Sequence, residues 1–550
     1  MLFERDFVPL SAKKSIKQIT FFPKVSQVVV QSDDYIGRNE LFSISENLSL
    51  RTGWYFYITG SELPEPEIKA IVDEQLSHRE EPEIEVSENT SPIILSNLDT
   101  SDEVEGISLV LEIGKNRILL DAGTIRSGDS LPLIIDFSFA VISHAHKDHT
   151  NLITSSQVKS DEDLCPLVMT KPTLYLLANS VWESKRSQSE KIQLIKSIVK
   201  KAIIRNYGEL LLIEPIKLTF YNAGHLLGSA ISLIQVKAFN FAYTGDFNLW
   251  DTAILDGAFG GKEDSLPGVC ELSKVKPLNA LAIESTYGDI IVQKYSIVFN
   301  EFFKLIDETL LKQKVAVIAS EPIGFAVWLY QTLIVHLNPR MNKNLDPRLG
   351  MIKTPLYLER EAYGSMRIHR ACPEFLNRKV YHNIQSEHDP FASASLRIVR
   401  GLEDVKYTLA KDFGSIFISH YPDLTRGPIC ALLPLVSEDP DNLLILTGSL
   451  KKRDSPANLL VSGKRYVKIG NRDTCFNMRI KSFSASAKVL SQLWLSDHVD
   501  QKQISETIKL LNPREIVFFH GSAKSREECT KIFTSEGRIV RRFNENLLGH

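Results

Sequence analysis

The chain has 550 residues, 43% of them hydrophobic and 24% charged, a balance that excludes a disordered or fibrous protein. The formal net charge of −3 gives no overall attraction for nucleic acid, so a polyanion would have to be bound by local basic segments. No uncharged apolar run approaches the ~20 residues that cross a bilayer, and the first residues lack the layout of a signal peptide. We therefore expect a cytoplasmic protein that does not contact a membrane.

The cysteines and the first 90 residues contain no chemical motif. Six scattered cysteines without a CxxC pair argue against a disulfide framework and against a cysteine-built zinc site.

Residues 1–62 contain short apolar and aromatic runs such as QITFF, SQVVVQ and WYFYITG, which predict a small strand-rich unit. Residues 63–90 are acidic and contain three prolines, which predicts an exposed connector with one short helix. We place the first domain boundary after residue 90.

Beyond residue 90, apolar strands alternate with helical segments, and several strands end in polar residues. The runs RILLDAG, FAVISHAH, IKLTFYNAGH, FNFAYTGDF and NALAIESTYGD share this layout. The alternation recurs from about residue 296 to residue 475, and QKQISETIKLLNPREIVFFHG adds a final helix and strand. This pattern predicts an α/β fold, in which sites lie at the carboxyl ends of strands.

The segment HAHKDH, residues 144–149, holds three of the chain's thirteen histidines within six positions. On a strand end, His144 and His146 point to the same side and can bind one metal, while Asp148 and His149 turn back from the loop. Imidazole and carboxylate are the ligands that zinc favours in open sites. Two later strand ends add His225 and Asp246, and a carboxylate can bridge two ions ~3.5–4 Å apart.

Asp121 follows an earlier strand in the run LLDAG. At this position a carboxylate is better placed to accept a hydrogen bond from a ligating imidazole than to bind metal itself. We therefore expect Asp121 to orient a ligand.

These residues carry a resemblance to a known family. Asp121, the HAHKDH segment, His225 and Asp246 resemble, in order and at strand ends, the four motifs of the metallo-β-lactamase fold. IESTYGD with Glu284 resembles the next motif of the β-CASP nucleases, which include the pre-mRNA 3′-end endonuclease and prokaryotic ribonucleases. LSDHVDQKQISETIKLLNPREIVFFHG resembles the last motif of that branch. The resemblance covers about residues 91–550.

The resemblance implies a domain plan. Residues 91–295 and 478–550 would form one metallo-β-lactamase αββα sandwich, and residues 296–477 an inserted α/β β-CASP domain. The small strand-rich domain, residues 1–90, would precede them. The active site would lie in the cleft between the sandwich and the insert.

The resemblance also implies ligands and roles for two zinc ions, with manganese as the alternative metal. The implied ligands are His144, His146 and His225 for one ion, Asp148, His149 and His498 for the other, and Asp246 bridging both. A hydroxide activated by the two metals would hydrolyse a phosphodiester. Asp148 would orient the hydroxide, Glu284 would help a proton reach the leaving oxygen, and Asp121 would support the ligands, which makes these three the candidate catalytic residues.

The chain departs from the family at a position where active members carry a further histidine, because alignment of LILTGSLKKRDSPANLL places Asn458 there. Asparagine can donate a hydrogen bond to phosphate but cannot deliver a proton at neutral pH. The segment IASEPIGFAVWLYQTL also replaces a family segment that contains an arginine. The candidate substrate contacts are Lys451, Lys452, Arg453, Asn458, His520 and Ser522.

We therefore expect a zinc-dependent nuclease that acts on single-stranded RNA in preference to DNA. The alternatives are a weakly active or inactive scaffold partnering an active nuclease, which Asn458 favours, and a DNA nuclease. Hydrolysis of a small ester is a third alternative, against which the long insert argues. Residues 1–90 are the segment to test for targeting or for formation of a homodimer.

Overall fold

The structure is a computed structural model. It describes the backbone of residues 16–22, 27–32 and 55–59 and then residues 68–98, 106–124, 134–351, 354–386, 388–393, 395–399, 409, 414–448, 454–483 and 494–547. No helix in these ranges is long and apolar enough to cross a membrane.

The described residues contain 24 strands, which lie in five sheets. They are β1 (Ile16–Phe22), β2 (Gln27–Ser32), β3 (Tyr55–Thr59), β4 (Ile93–Asn97), β5 (Leu109–Ile113), β6 (Asn116–Leu120), β7 (Phe139–Val141), β8 (Leu167–Met169), β9 (Ala202–Ile204), β10 (Leu210–Ile213), β11 (Ile216–Asn222), β12 (Ala230–Val236), β13 (Phe239–Tyr243), β14 (Ala280–Glu284), β15 (Ala316–Ala319), β16 (Leu356–Glu359), β17 (Leu396–Val399), β18 (Ile416–Ser419), β19 (Leu443–Leu446), β20 (Tyr466–Ile469), β21 (Arg472–Cys475), β22 (Arg479–Ser482), β23 (Glu515–Phe519) and β24 (Ile539–Val540).

The same ranges contain 14 α-helices. They are α1 (Ile68–Ser77), α2 (Lys147–Thr150), α3 (Lys171–Glu183), α4 (Gln188–Lys201), α5 (Val269–Leu272), α6 (Tyr295–Leu311), α7 (Phe325–His336), α8 (Pro347–Met351), α9 (Arg360–Ala371), α10 (Arg378–Gln385), α11 (Ile429–Val436), α12 (Pro456–Val461), α13 (Gln501–Leu511) and α14 (Ala523–Ser535).

Two sheets pack face to face to form a four-layer sandwich. One has the strand order β4-β5-β6-β7-β8-β9 and the other the order β10-β11-β12-β13-β14-β23-β24. Successive residues of β6 show why both faces of a sheet are covered: Ile118 and Leu120 enter the core between the sheets, and Leu119 enters the core under α3 and α4. Helices α13 and α14 cover the second sheet. This αββα sandwich confirms the predicted fold class.

The C-terminal segment completes the sandwich. β23 pairs in parallel with β14, with Glu284 opposite Phe519. The strands that lie between β14 and β23 in the sequence do not enter this sheet. Six of them, β15 to β19 and β22, form a separate parallel sheet of order β17-β16-β18-β15-β19-β22. The chain therefore leaves the sandwich after β14 and returns to it before β23, and we keep the predicted domain boundaries as a proposal.

The N-terminal region contains a three-stranded sheet, β1-β2-β3. The acidic segment that follows was expected to be an exposed connector, and on this point the structure differs. Ile68 and Val72, one turn apart on α1, are buried in the core under α3 and α4. The carboxylate of Asp73 accepts hydrogen bonds from the Tyr175 hydroxyl and from Lys69. α1 is thus packed on the sandwich, which the proline and acid content of the segment did not reveal.

Helix α3 of the sandwich and helix α9 of the insert pack closely against each other. The close approach is possible because residue 364 on α9 is a glycine. A Cβ atom built at Gly364 would lie 2.1 Å from Asn179 Oδ1 on α3. Alanine stabilises a helix interior by ~0.5–1 kcal/mol relative to glycine, but overpacking of this kind costs about 1–3 kcal/mol.

We therefore expect Gly364→Ala to lower the free energy of unfolding in urea. Gly350→Ala on α8 is the matched control, because a Cβ there meets nothing closer than 3.4 Å. Equal effects of the two variants would contradict the close contact.

Glu359 ends β16 inside the insert, where burial raises the pKa of its carboxyl from 4.5 to about 8. The folded chain therefore binds this proton more tightly than the unfolded chain. The stability from this group is complete below its unfolded pKa and is lost as the pH rises toward about 8, by up to about 1.4 kcal/mol per pH unit. Glu359→Gln keeps an oxygen to accept from the backbone N–H of His420 and cannot ionise. In urea unfolding we expect the variant to gain stability over the native chain as the pH rises from about 4.5 to about 8; a constant difference would contradict the assignment.

Candidate metal centre

The site lies where the carboxyl ends of six strands meet. Asp121 follows β6, residues 143–149 follow β7, His225 follows β11, Asp246 follows β13, Glu284 ends β14 and His520 follows β23. The chain turns sharply after these strands, and Asp121 and His520 both have positive φ. Gly245 also has positive φ, and a Cβ there would lie 2.5 Å from Ser143 Cβ. The tight turns bring the polar side chains into one buried cluster.

Three imidazoles form the first ligand group. His146 Nδ1 lies 3.2 Å from His144 Nε2 and 3.1 Å from His225 Nε2. His144 and His225 are buried, and His146 is half-buried. Three nitrogens around a tetrahedral zinc ion at 2.0–2.1 Å are separated by about 3.3 Å, so the spacing of this group fits such an ion.

Hydrogen bonds on the far side of each ring fix its tautomer. His225 Nδ1 donates to the carbonyl of Asp497 at 2.9 Å, and His146 Nε2 donates to the carbonyl of Ile323 at 3.3 Å. Ser143 Oγ donates to Asp121, so it accepts from His144 Nδ1 at 2.9 Å. The remaining nitrogen of each neutral ring therefore presents a lone pair, and the three lone pairs converge.

The three rings are also held neutral. Burial, together with the neighbouring His149, lowers the pKa of His144 well below its usual value. Burial and His225 lower the pKa of His146 to about 4, and burial and His498 lower that of His225 to about 4. Converging lone pairs repel each other unless a cation lies between them, so the donor set suits a metal ion.

Asp148, His149 and His520 form the second ligand group. His149 Nδ1 donates to Asp121 at 2.7 Å, which leaves a lone pair on Nε2. Thr286 Oγ1 donates to Glu284 and therefore accepts from His520 Nδ1, which leaves a lone pair on Nε2 of that ring. Both Nε2 atoms are buried and have no hydrogen-bond partner among the described residues. Unpaired buried acceptors are costly, and a metal ion would satisfy both.

Asp246 lies between the two groups. Its Oδ2 is 3.2 Å from His149 Nε2 and 3.7 Å from His144 Nε2, and its Oδ1 is buried without a hydrogen-bond partner in the described part of the chain. Burial opposes charge on His149, but Asp246 and Asp121 outweigh it and raise its pKa well above the usual value, so either a proton or a metal ion is favoured at the Nε2 position of this ring. The carboxylates thus attract positive charge to the position between the rings, as expected for a carboxylate that contacts two ions.

Asp121 acts as an acceptor for four donors. They are the backbone N–H and hydroxyl of Ser143, His149 Nδ1 and the Tyr243 hydroxyl, at 2.6 to 2.7 Å. Asp121 is fully buried. It accepts from His149 Nδ1, and its role in supporting a metal ligand stays a prediction.

Glu284 pairs with His498. Its Oε2 accepts from His498 Nδ1 at 3.0 Å, and its Oε1 accepts from the backbone N–H of Phe247 at 2.7 Å. Burial opposes charge on His498, but the carboxylates of Glu284 and Asp246 raise the pKa of its ring to about 10. Glu284 is therefore held in place by the Phe247 N–H and accepts a hydrogen bond from the His498 ring at the edge of the cluster.

His498 was expected to be a metal ligand and His520 a phosphate contact. In the structure His520 groups with Asp148 and His149, and His498 donates to Glu284 but also lies in two other groups of possible ligands, one with Asp246 and one with His225 and Asp497. Asn458, expected at the position of a missing histidine, lies in the first turn of α12, where its backbone N–H donates to Ser455. The division of roles between the two histidines is therefore a proposal. The sequence shows two histidines 22 positions apart (520 − 498) in the last motif, and their order alone does not say which one faces the metals.

The remaining predicted substrate contacts are Ser522 and the basic residues 451–453. Ser522 caps α14, since its hydroxyl accepts from the backbone N–H of Ser525 at 3.1 Å. Lys451, Lys452 and Arg453 lie outside the described residues. The sequence reasoning missed the carbonyl of Ile323, because a backbone contact from a distant segment leaves no residue-type signal.

The curated proteins that resemble this chain include archaeal transcription termination factors and a probable RNase. No family model matches the chain. It is 28% identical over 472 residues to the transcription termination factor FttA of Methanococcus maripaludis, covering 81% of this chain and 69% of the relative. It is 27% identical over 453 residues to FttA of Methanocaldococcus jannaschii, covering 78% and 67%. A protein of the same organism named probable RNase MJ4 is 27% identical over 435 residues, covering 76% of this chain and 91% of the relative.

Proposed function

Since these relatives confirm the resemblance to the β-CASP nucleases of the metallo-β-lactamase fold, we propose that the chain is a zinc-dependent nuclease that hydrolyses RNA. The observation that carries the proposal is the pair of ligand groups, each with lone pairs directed inward and joined by Asp246. Paired metal sites of this kind serve in-line displacement at phosphorus.

The residues divide between two ions. His144, His146 and His225 would hold one, Asp148, His149 and His520 the other, and Asp246 would contact both. Zinc bound there would supply Lewis-acid charge and a hydroxide at neutral pH; manganese is the alternative metal.

The chain's own proton chemistry centres on His498. Its Nδ1 is committed to Glu284, and Glu284 is itself held by the backbone N–H of Phe247 and by Thr286. The other ring nitrogen, Nε2, is 3.9 Å from Asp497 and remains for transfer of a proton to the leaving oxygen. A histidine positioned by a carboxylate is the usual form of such a donor.

This pair weakens the case for an inactive scaffold. That alternative depended on Asn458 in place of a proton-donating histidine, and His498 supplies the imidazole beside Glu284. RNA is favoured over DNA because the names of the relatives refer to an RNase and to transcription termination. The match to the FttA of Pyrococcus abyssi covers 58% of that relative.

The test is cleavage of end-labelled single-stranded RNA and DNA of equal sequence by the purified chain. We expect RNA cleavage that a chelator abolishes and added zinc restores. His146→Ala should reduce the rate by about 100-fold or more, since even supporting residues of metal sites cost 10–100-fold. His388→Ala, a change of the same type at an exposed histidine, is the matched control. Cleavage that resists the chelator, or no cleavage of either polymer, would contradict the proposal.

A further inference from the structure

The insert contacts the segment that supplies most of the proposed ligands. This segment, residues 144–149, is called the ligand loop below. The turn before α7 and the first turn of α9, both in the insert, make polar contacts with it. Neither contact was indicated by a sequence motif.

The first contact is made by the turn at Ile323 and Gly324. The Ile323 carbonyl accepts from His146 Nε2 at 3.3 Å, which directs the lone pair of Nδ1 toward the metal position. Gly324 has positive φ, and a Cβ there would lie 2.9 Å from Leu226 Cβ, beside His225. The backbone of the insert thus contacts His146 of the first ligand group and packs against Leu226, the residue after His225.

The second contact is an ion pair. Lys147, between His146 and Asp148 in the chain, donates from Nζ to the Glu361 carboxylate at 3.2 and 3.5 Å. The Glu361 side chain is 11% exposed and that of Lys147 is 39% exposed. The carboxylate also accepts from Ser180 Oγ on α3 at 3.4 Å, and the Glu361 carbonyl accepts from Asn179 Nδ2.

Glu361 therefore connects three parts of the molecule: the ligand loop, α3 of the sandwich and α9 of the insert. His420, at the end of β18, adds a fourth contact, with Nδ1 3.5 Å from Glu361 Oε2. Loss of this carboxylate would remove the ion pair between the ligand loop and the insert; the Ile323 carbonyl and the Tyr421 ring, 5.7 Å from Lys147 Nζ, would still contact the loop. Because Lys147 is bonded to a ligand on each side, its displacement would displace both.

We propose that the insert is part of the metal centre, because Glu361 and the Ile323 carbonyl hold the ligand loop in its metal-binding geometry. Zinc affinity then depends on docking of the insert, and Glu361 is a positioning residue for the ligands. This inference rests on the proposed metal site.

The experiment measures the zinc dissociation constant of the full chain by competition with a chromophoric chelator. Glu361→Gln keeps the shape of the side chain and removes its charge, and we expect zinc to bind about 10-fold more weakly. Loss of a negative charge near a cation would also weaken binding through space. Lys147→Met separates the two causes, since loss of a positive charge should tighten binding through space, whereas loss of positioning should weaken it.

Weaker binding in both variants, with effects that are not additive in the double variant, is the expected result. Asp389→Asn is the matched control, because it breaks the Arg370–Asp389 ion pair within the insert, 2.7 Å long, without touching the ligand loop. Tighter zinc binding in Lys147→Met, or a lower melting temperature in Glu361→Gln with unchanged zinc affinity, would overturn the inference. Absence of zinc binding by the native chain would instead overturn the proposed function.

Discussion

Replacement of His520 by alanine is expected to lower the metal content from about two zinc ions per chain to about one. The variant loses one of three side chains in the second ligand group, whereas the first group of three imidazoles is unchanged. His498→Ala is the paired variant, and it should keep both ions while the rate of RNA cleavage falls by about 10²–10⁴-fold, the range for loss of a general acid. Metal analysis after dialysis and a cleavage assay distinguish the two variants.

The opposite pattern would contradict this division of roles. If His498→Ala loses an ion and His520→Ala keeps both, the expectation drawn from the sequence is right and the geometry-based assignment fails. Glu284→Gln provides an independent check, because it should resemble His498→Ala: both remove one member of the same hydrogen-bonded pair, 3.0 Å apart.

Asp121→Asn is expected to destabilise the fold and the metal site together. The Oδ2 atom accepts from Ser143 Oγ, His149 Nδ1 and Tyr243, and Oδ1 accepts from the Ser143 N–H. An amide in either orientation places its NH₂ group against at least one donor. Unsatisfied buried donors and loss of a buried charge partner together cost about 3–5 kcal/mol. Urea unfolding measures this loss, and we also expect weaker zinc binding.

Phe241→Leu, in the core between the sheets, is the control for general destabilisation. It should lower the free energy of unfolding without a specific effect on zinc affinity in the folded protein. If Asp121→Asn weakens zinc binding no more than Phe241→Leu does, Asp121 only stabilises the fold and does not orient His149.

The strand-end cluster that we propose as the metal site could be predicted because two local signals coincide there. Apolar runs predict the strands, and the polar residues that follow β6, β7, β11 and β13 must then meet at one edge of the sandwich. Asp121 was predicted to accept a hydrogen bond from a ligating imidazole, and in the structure it accepts from His149 Nδ1. The α/β class followed from the same alternation.

What could not be predicted depends on contacts between distant segments. The roles of His498 and His520 differ by which side chain reaches Glu284, and that distance is set by the pairing of β14 with β23. Packing of α1 on the sandwich and the contact of Ile323 with His146 likewise join segments far apart in the chain. The cap that the Ser522 hydroxyl provides at the start of α14 was not predicted either, and its contact with substrate stays a prediction.

Anomalous diffraction at the zinc edge from crystals of the native chain tests the central claim most directly. We expect two peaks, one among His144, His146 and His225 and one among Asp148, His149 and His520, with Asp246 between them. A peak coordinated by His498, or a single peak confined to the first group, would contradict the account.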